Sequence, residues 1–131
     1  MSKNVHTSGK RKQAIARATL STGNGNVHVN GRPLEHFEPK VAMMKIQEPL
    51  MLAGDMVKKL NINVKVFGGG WSSQSEAVRL AIGRGLVEIN KSLKKTFQDY
   101  DRHLLVGDVR RNEPCKPNDS KPRAKRQKSY R

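Results

Sequence analysis

Apolar and polar residues alternate with a period of two along the first part of the chain. From position 14 to position 20 the even residues are alanine or leucine, whereas Ile15, Arg17 and Thr19 occupy the opposite face. Such alternation is typical of a strand that is half buried in a sheet. Residues 9–12 (Gly-Lys-Arg-Lys) interrupt the pattern, so we predict extended structure over residues 5–21 with an irregularity at that run.

Two turn signals follow the first extended stretch. Residues 22–26 (Thr-Gly-Asn-Gly-Asn) are rich in the residue types that tolerate positive φ, and Asn30-Gly31 before Pro33 repeats the signal. Residues 27–29 lie between these turns as a short strand. We therefore predict that residues 5–29 form a hairpin.

A second alternating stretch gives the clearest strand of the chain. Between Asn61 and Val66, Ile62, Val64 and Val66 point one way and polar residues point the other. This pattern predicts a strand whose apolar face is turned to the core.

Helical spacing of apolar residues appears on both sides of this strand. One helix is predicted to open at Pro39, to break or kink at Pro49 and to end at Gly54. Another follows the glycine run 68–70, where Ser73 and Glu76 have the spacing of a capping box. Its expected apolar stripe consists of Val78, Ala81, Ile82, Leu86 and Ile89.

The rest of the pattern completes the predicted fold. Gly83 and Gly85 each disfavour the second helix by up to ~1 kcal/mol relative to alanine, and close packing against a strand would explain them. Leu93 and Phe97 indicate a further short helix, and regular structure should stop after residue 106. The fold class is therefore α+β, a two-layer arrangement of a small sheet packed on helices. We expect a globular domain over residues 1–106 and a basic tail over residues 107–131 that is disordered without RNA.

Charge changes this picture, because the chain has a formal net charge of +15 over 131 residues. Residues 1–101 contribute +8 and residues 102–131 contribute +7, so under a quarter of the length holds nearly half the excess. The last eleven residues hold six Lys or Arg and no acidic residue. Such a segment cannot bury enough apolar surface to order itself and is typical of nucleic-acid binding.

Three short segments are candidates for contact with phosphates. Residues 9–12 present three adjacent cations, and Arg110-Arg111 either bind phosphate or pair with Asp108 or Glu113. The glycine run 68–70 before a helix is either a tight turn or a backbone phosphate site, and both alternatives stay open. Trp71 could stack on a base or cover the core, and we expect it to cover the core. Tyr130 could stack on a base or stand idle.

Other functions find little support in the sequence. The histidines and the single Cys115 lack metal-ligand spacing, so neither a metal nor a cofactor is expected. Neither a catalytic triad nor a pair of carboxylates in an apolar frame is evident, so we expect no enzyme. No apolar run approaches the length of a membrane span, and the N-terminus lacks a signal-peptide core, so we expect no membrane partner.

Several separate blocks of the chain closely resemble the small-subunit ribosomal protein nine family, and the terminal Ser-Tyr-Arg resembles its archaeal branch. The blocks are residues 9–19, 29–34, 68–70 with Gln74 and Ala77, 100–102, 104–106, Asp108 with Arg110 and Arg111, and 127–131. The resemblance implies a non-enzymatic structural protein of the small-subunit head that contacts 16S-type rRNA and neighbouring head proteins. It also implies a left-handed βαβ crossover, a cytoplasmic location in the small ribosomal subunit, and no small-molecule substrate.

The resemblance further implies that the C-terminal tail passes through rRNA toward the peptidyl-site tRNA. The tRNA contacts would be Arg131, with Lys128 and Tyr130 nearby. Fully extended, eleven residues reach about 36–40 Å, which is enough to enter an RNA crevice. The basic runs and the resemblance together give these candidate rRNA contacts: Lys10, Arg11, Lys12, Arg17, Gly69, Gly70, Arg110, Arg111, Lys116, Lys121, Arg123, Lys125 and Arg126.

Two alternatives remain at this point. A free nucleic-acid regulator would share the charge distribution but would occur mostly outside ribosomal particles. A small phosphate-handling enzyme would use the glycine run 68–70 but would need a catalytic base that the sequence does not identify.

Overall fold

A mixed five-stranded sheet organises the fold in this computed structural model, which describes residues 4–125, 127, 129 and 130. The strands are β1 (Val5–Arg11), β2 (Ala14–Thr22), β3 (Val27–Val29), β4 (Arg32–Pro33) and β5 (Leu60–Phe67), and they lie in the order β1-β2-β5-β3-β4. The helices are α1 (Lys40–Ala53), α2 (Trp71–Ile89) and α3 (Leu93–Tyr100). Short 3₁₀ turns cover Leu34–His36, Gly54–Lys59 and Arg102–Leu104.

The first two strands form a tight antiparallel hairpin. Arg11 pairs with Ala14, so the turn consists of Lys12 and Gln13 alone, and Lys12 has a φ of 52°. The predicted irregularity at residues 9–12 is therefore a continuous strand followed by a two-residue turn. The predicted hairpin over residues 5–29 is wrong. The observed hairpin turns at Lys12 and Gln13 and consists of β1 and β2, whereas residues 27–29 pair with β5.

The third strand pairs with β5 in parallel rather than with β2. The loop between β2 and β3 is hydrogen-bonded to the start of β5. There, Asn61 Oδ1 accepts hydrogen bonds from the backbone N–H groups of Asn24 (2.9 Å) and Asn26 (3.3 Å). The chain then leaves β3, passes through β4 and α1, and returns as β5. This is a βαβ crossover, and its left-handedness stays a prediction.

The period-two predictions for the central strands are confirmed. The even positions of β2 from Ala14 to Leu20 are at most 1% exposed, and Ile62, Val64 and Val66 of β5 are buried. Helix α2 packs across this face, on β1, β2 and β5. A Cβ on Gly9 of β1 would overlap the carbonyl oxygen of Ala77 of α2, so small residues on both elements allow the close approach.

Helix α2 begins earlier than the capping-box spacing predicted. Gly70 is its N-cap residue, and no side chain of the described residues caps the helix. Glu76 binds Arg11 of β1 instead of the helix end, so the capping-box prediction is wrong. Trp71 is 52% exposed at the first turn and does not cover the core as expected. The predicted stripe is buried except for Ile89, which is 40% exposed at the last residue of the helix.

The two glycines inside α2 both lie under close neighbours. A Cβ on Gly85 would overlap the side chain of Leu20 in β2, as the prediction of strand packing requires. A Cβ on Gly83 would lie 2.5 Å from the carbonyl oxygen of Leu104, so this glycine packs against a 3₁₀ turn rather than a strand.

The remaining helices complete the second layer. Helix α1 continues through the buried Pro49 to Ala53, so Pro49 does not break the helix, and the alternative of a kink stays a prediction. It packs along α2, and α3 contacts both through the region of the buried Phe97. After Leu104 the described residues form no helix or strand, and only an isolated bridge joins Asp119 and Lys125.

Candidate nucleic-acid interface

Three cation- or glycine-rich segments that are distant in sequence meet at one end of the molecule. They are the β1–β2 turn, the glycine run 68–70 and residues 108–111. A Cβ on Gly68 would lie 2.5 Å from the carbonyl oxygen of Gln13, and one on Gly69 would lie 3.2 Å from the backbone nitrogen of Ala14. The turn before α2 is thus packed on the hairpin turn, which brings two of the predicted phosphate sites together.

The chain beyond the domain joins the same end. Arg11 Nη1 donates to the carbonyl oxygen of Arg110 at 3.1 Å, and Arg111 Nη1 donates to the carbonyl oxygen of Lys12. Arg11 Nη2 also lies 3.4 Å from Asp108 Oδ2. These contacts, which we call the tail clip (residues 108–111 on Arg11 and Lys12), fix the direction in which the tail leaves the domain.

Asp108 is the acidic centre of the tail clip. Its carboxylate accepts from Arg110 Nε at 3.0 and 3.1 Å, from Arg110 Nη2 at 2.6 Å and from the Arg110 backbone N–H at 2.9 Å. Those hydrogen bonds, with the charge of Arg11, hold the pKa of Asp108 well below its ordinary range. The same contact raises the pKa of Arg110.

Arg11 is a largely buried, ion-paired cation at this end of the molecule. Its side chain is 12% exposed, and its Nε donates to Glu76 Oε2 at 2.7 Å. Lys45 of α1 reaches the other oxygen of Glu76 at 3.5 Å. Lys10 and Lys12 on either side are exposed. The three cations of the run therefore have different surroundings, which the charge pattern did not distinguish.

A second set of ion pairs holds the segment that leads to the tail. Arg79 Nη2 contacts Glu48 Oε2 and lies 2.9 Å from Asp101 Oδ2. Arg84 donates to the carbonyl oxygens of Leu105 (3.0 Å) and Ser8 (3.0 Å). Burial acts to raise the pKa of Asp101, but the His103 backbone N–H and Arg79 outweigh it, so the pKa is lowered.

The glycine run has the geometry of a tight turn. Gly68 and Gly69 have φ values of 78° and 64°, in the region that L side chains rarely adopt, and nothing lies within 4 Å of where a Gly70 Cβ would be. The turn interpretation is therefore confirmed. Phosphate contact at Gly69 and Gly70 stays a prediction, at a helix end that opens beside Lys12.

Arg17 lies apart from this end, on the sheet face that no helix covers. Its guanidinium carbon stands 5.9 Å from the ring centroid of Phe67, a cation–π contact. Lys65 of β5 lies directly opposite Arg17 of β2 in the strand register. Neither Lys65 nor Phe67 was among the predicted functional residues, although the alternation along β5 signals that both side chains point away from the core.

The tail cations that the structure describes are all exposed: Lys116, Lys121, Arg123 and Lys125. Arg123 Nε pairs with Glu113 Oε2 at 2.7 Å, and Ser120 N donates to the Ala124 carbonyl oxygen at 3.2 Å. The tail thus turns back on itself here, and full extension requires these contacts to open. Tyr130 is 92% exposed. The candidates Arg126, Lys128 and Arg131 lie outside the described residues.

Neither a metal-binding cluster nor a membrane-spanning helix occurs among the described residues. No group of three or more His, Cys, Asp or Glu residues there could hold a metal ion. No described helix is long and apolar enough to cross a membrane.

The fold and the placement of charge define a small, strongly basic α+β protein with a cationic C-terminal tail. The chain belongs to the family described as ribosomal protein S9/S16, whose profile matches residues 9–131. It is 51% identical to "Small ribosomal subunit protein uS9" of Methanococcus maripaludis strain C7 over 131 residues, covering 97% of this chain and 98% of the relative. The protein of the same name from Methanococcus vannielii is 50% identical over the same share of each chain.

These matches confirm the resemblance of the chain to the small-subunit ribosomal protein nine family, including its archaeal branch, because both relatives come from Methanococcus. Membership of a ribosomal-protein family also supports the expectation that the chain is not an enzyme.

Proposed function

We propose that this chain is a structural protein of the small ribosomal subunit, that its domain binds rRNA and that its tail reaches the peptidyl-site tRNA. The observation that carries the proposal is the family match, which runs through the domain and the tail to Arg131. Relatives that bear the name of a small-subunit protein share half of the residues over nearly the whole chain. The formal net charge of +15 suits a polyanionic partner.

The domain end formed by the hairpin turn, the glycine run and the tail clip is the proposed rRNA anchor. Lys10, Lys12 and Arg111 are exposed there and can reach phosphates. Arg11 and Arg110 both form ion pairs with Asp108. The largely buried Arg11 would therefore hold the anchor in place, whereas the exposed Arg110 would add to the positive charge of its surface. Phosphate contacts of this kind fix position and carry no direct sequence information.

The tail is the proposed tRNA-contacting part. Lys116, Lys121, Arg123 and Lys125 would pair with rRNA along its path, followed by Arg126. Lys128, Tyr130 and Arg131 would meet the tRNA. Because the contacts are mainly to phosphates, the tail would respond to the presence and shape of a tRNA rather than to its anticodon.

Reconstitution of small subunits with the full chain and with a version that ends at Asp119 tests both halves of the proposal. Both proteins should cosediment with the small subunit, and only the full chain should support normal retention of peptidyl-site tRNA. A third protein, full in length but with glutamine in place of every Lys and Arg after Asp119, separates charge from chain length. It should behave like the truncated form.

Two outcomes would contradict the proposal. If no version cosediments with the small subunit, the ribosomal function fails and a free nucleic-acid regulator becomes the better explanation. If all three retain tRNA equally, the domain anchors to rRNA but the tail has no tRNA role.

A further inference from the structure

The sheet has one face that no helix covers, and its side chains form rows across the strands. Paired positions on neighbouring strands place these side chains about 4.8 Å apart, and successive rows follow at about 6.7 Å along the strands. The rows are Lys10–Ile15–Phe67, Ser8–Arg17–Lys65 and His6–Thr19–Asn63–His28. His6 Nδ1 and Thr19 Oγ1 lie 3.1 Å apart, in hydrogen-bond contact, in the third row.

This open face is positively charged and unneutralised. Within the described residues, the five strands hold no Asp or Glu, and neither Arg17 nor Lys65 forms an ion pair. One acid, Glu88 of α2, lines the shallow depression that runs past Arg17 and Lys65. Arg17 and Lys65 lie directly opposite each other on neighbouring strands, and like charges in this arrangement destabilise the fold. A bound anion between them would relieve this repulsion.

The same face carries an aromatic ring that the core does not use. Phe67 is 51% exposed at the end of β5, and Arg17 lies over its ring. Ile15, its cross-strand neighbour, is half buried. A planar, partly exposed ring beside two cations is the arrangement on which a splayed-out nucleobase stacks while its phosphates are neutralised.

We propose that the open face of the sheet is a second RNA-binding surface, which takes a single-stranded segment with one base on Phe67 and its phosphates on Arg17 and Lys65. The proposal rests on the proposed function and deepens it. Lys10 lies in the first row and also borders the hairpin turn, so the open face is continuous with the proposed rRNA anchor. An RNA strand could thus run from the anchor across the sheet.

Single-stranded RNA fits this face better than a duplex. In A-form RNA the bases are stacked inside the helix, so an exposed ring offers a duplex no stacking partner. A loop or single strand can present both an unstacked base and its flanking phosphates. Phe67 therefore decides between these two kinds of RNA.

A charge-removal experiment tests the electrostatic part. The purified full chain is titrated with single-stranded oligouridylate at several salt concentrations, in parallel with the double variant Arg17→Gln/Lys65→Gln. Two lost phosphate contacts should lower the slope of log affinity against log salt by about 1.4. The matched control Lys94→Gln/Lys95→Gln removes the same charge from exposed positions of α3 and should leave the slope unchanged.

A stacking experiment tests the role of the ring. Phe67→Leu should weaken binding of the single strand by roughly 5- to 150-fold, the range expected for one stacked base, whereas Phe67→Trp should retain binding. Binding of the duplex of oligouridylate with oligoadenylate should change less than twofold. Tyr100→Leu, at another half-exposed aromatic on α3, is the control and should change neither.

The outcomes separate this inference from the proposed function. If the sheet variants and the α3 variants behave alike, or if Phe67→Leu weakens duplex and single strand equally, the open face is not a single-strand site. The wild-type chain would still bind a transcript of small-subunit rRNA in that case. If the wild-type chain fails to bind that transcript, the proposed function itself fails.

Discussion

A single carboxylate connects the domain to its tail. Asp108 is 11% exposed, binds Arg110 two residues further along the chain, and lies within ion-pair distance of Arg11 on β1. Arg11 in turn reaches α2 through Glu76. Two acids therefore meet at Arg11: Asp108 links the first strand to the tail, and Glu76 links it to the second helix.

Asp108→Asn should loosen the tail clip, because the neutral amide cannot pair with two guanidinium groups. The amides of residues 107–111 should exchange with solvent faster, and the thermal midpoint should fall slightly at neutral pH. The control Asp99→Asn, at an exposed position of α3, should change neither. Hydrogen exchange and thermal unfolding check both expectations.

The same variant has a defined pH dependence. Because folding lowers the pKa of Asp108 from its ordinary value of 3.8, the carboxylate stabilises the fold fully above that pH and progressively less as the pH falls below it. The difference in thermal midpoint between wild type and Asp108→Asn should therefore shrink as the pH is lowered from about 4 toward 2. A constant difference over this range would show that the clip does not depend on the ionised carboxylate.

Sequence reasoning recognised the cations of the site but not their surroundings. A run of Lys and Arg predicts phosphate contact whatever its environment, and Arg11 and Lys10 are indistinguishable by that criterion. The two acids that pair with Arg11, Glu76 and Asp108, both lie far along the chain from it, and no local pattern signals such pairings. Lys65 and Phe67 could have been found, because the alternation of β5 already turned both outward.

At the scale of elements, local patterns were reliable and pairings were not. The alternation in β2 and β5 and the stripe of α2 reflect burial against neighbouring layers, which a short window of sequence records. The parallel pairing of β3 with β5 depends on a crossover through α1, so residues 5–29 alone suggested the wrong hairpin. Glu76 had capping-box spacing, but its ion pairs with Arg11 and Lys45 are tertiary contacts.

The attachment of α3 should depend on Phe97, which is fully buried where this helix meets α1 and α2. Phe97→Ala should lower the free energy of unfolding by about 3–5 kcal/mol, from lost burial and the cavity left behind. Urea unfolding measures this quantity. Tyr100→Ala on the same helix, half exposed, should change it by less than about 0.5 kcal/mol. Equal losses of stability in the two variants would mean that α3 stabilises the fold through its helix propensity rather than through the packing of Phe97.

At the scale of the whole molecule, charge is divided between two parts with different structures. Part of the domain's charge is exposed at the hairpin turn (Lys10, Lys12) and on the open sheet face (Arg17, Lys65). The residues after Asp119, by contrast, carry six cations with little apolar surface. The free energy of RNA binding should therefore have two parts: contacts made by the folded surface of the domain, and electrostatic contacts made by the tail cations.

The salt dependence of binding to a small-subunit rRNA transcript should report this division. Removing the residues after Asp119 deletes up to six phosphate contacts, so the slope of log affinity against log salt should become shallower by up to roughly 4–5. The shortened chain should still bind with a measurable slope from the domain. If its slope equals that of the full chain, the tail cations contact no phosphate in this complex.

The tail clip has a kinetic consequence for assembly. If the domain binds rRNA as proposed, the remaining tail would search for its own contacts as a tethered ligand whose starting point the tail clip sets. For short flexible tethers the local concentration of the second ligand is on the order of millimolar, far above that of a free peptide. Individually weak tail contacts can then be occupied nearly all the time, yet each can be released and remade without the protein leaving its place.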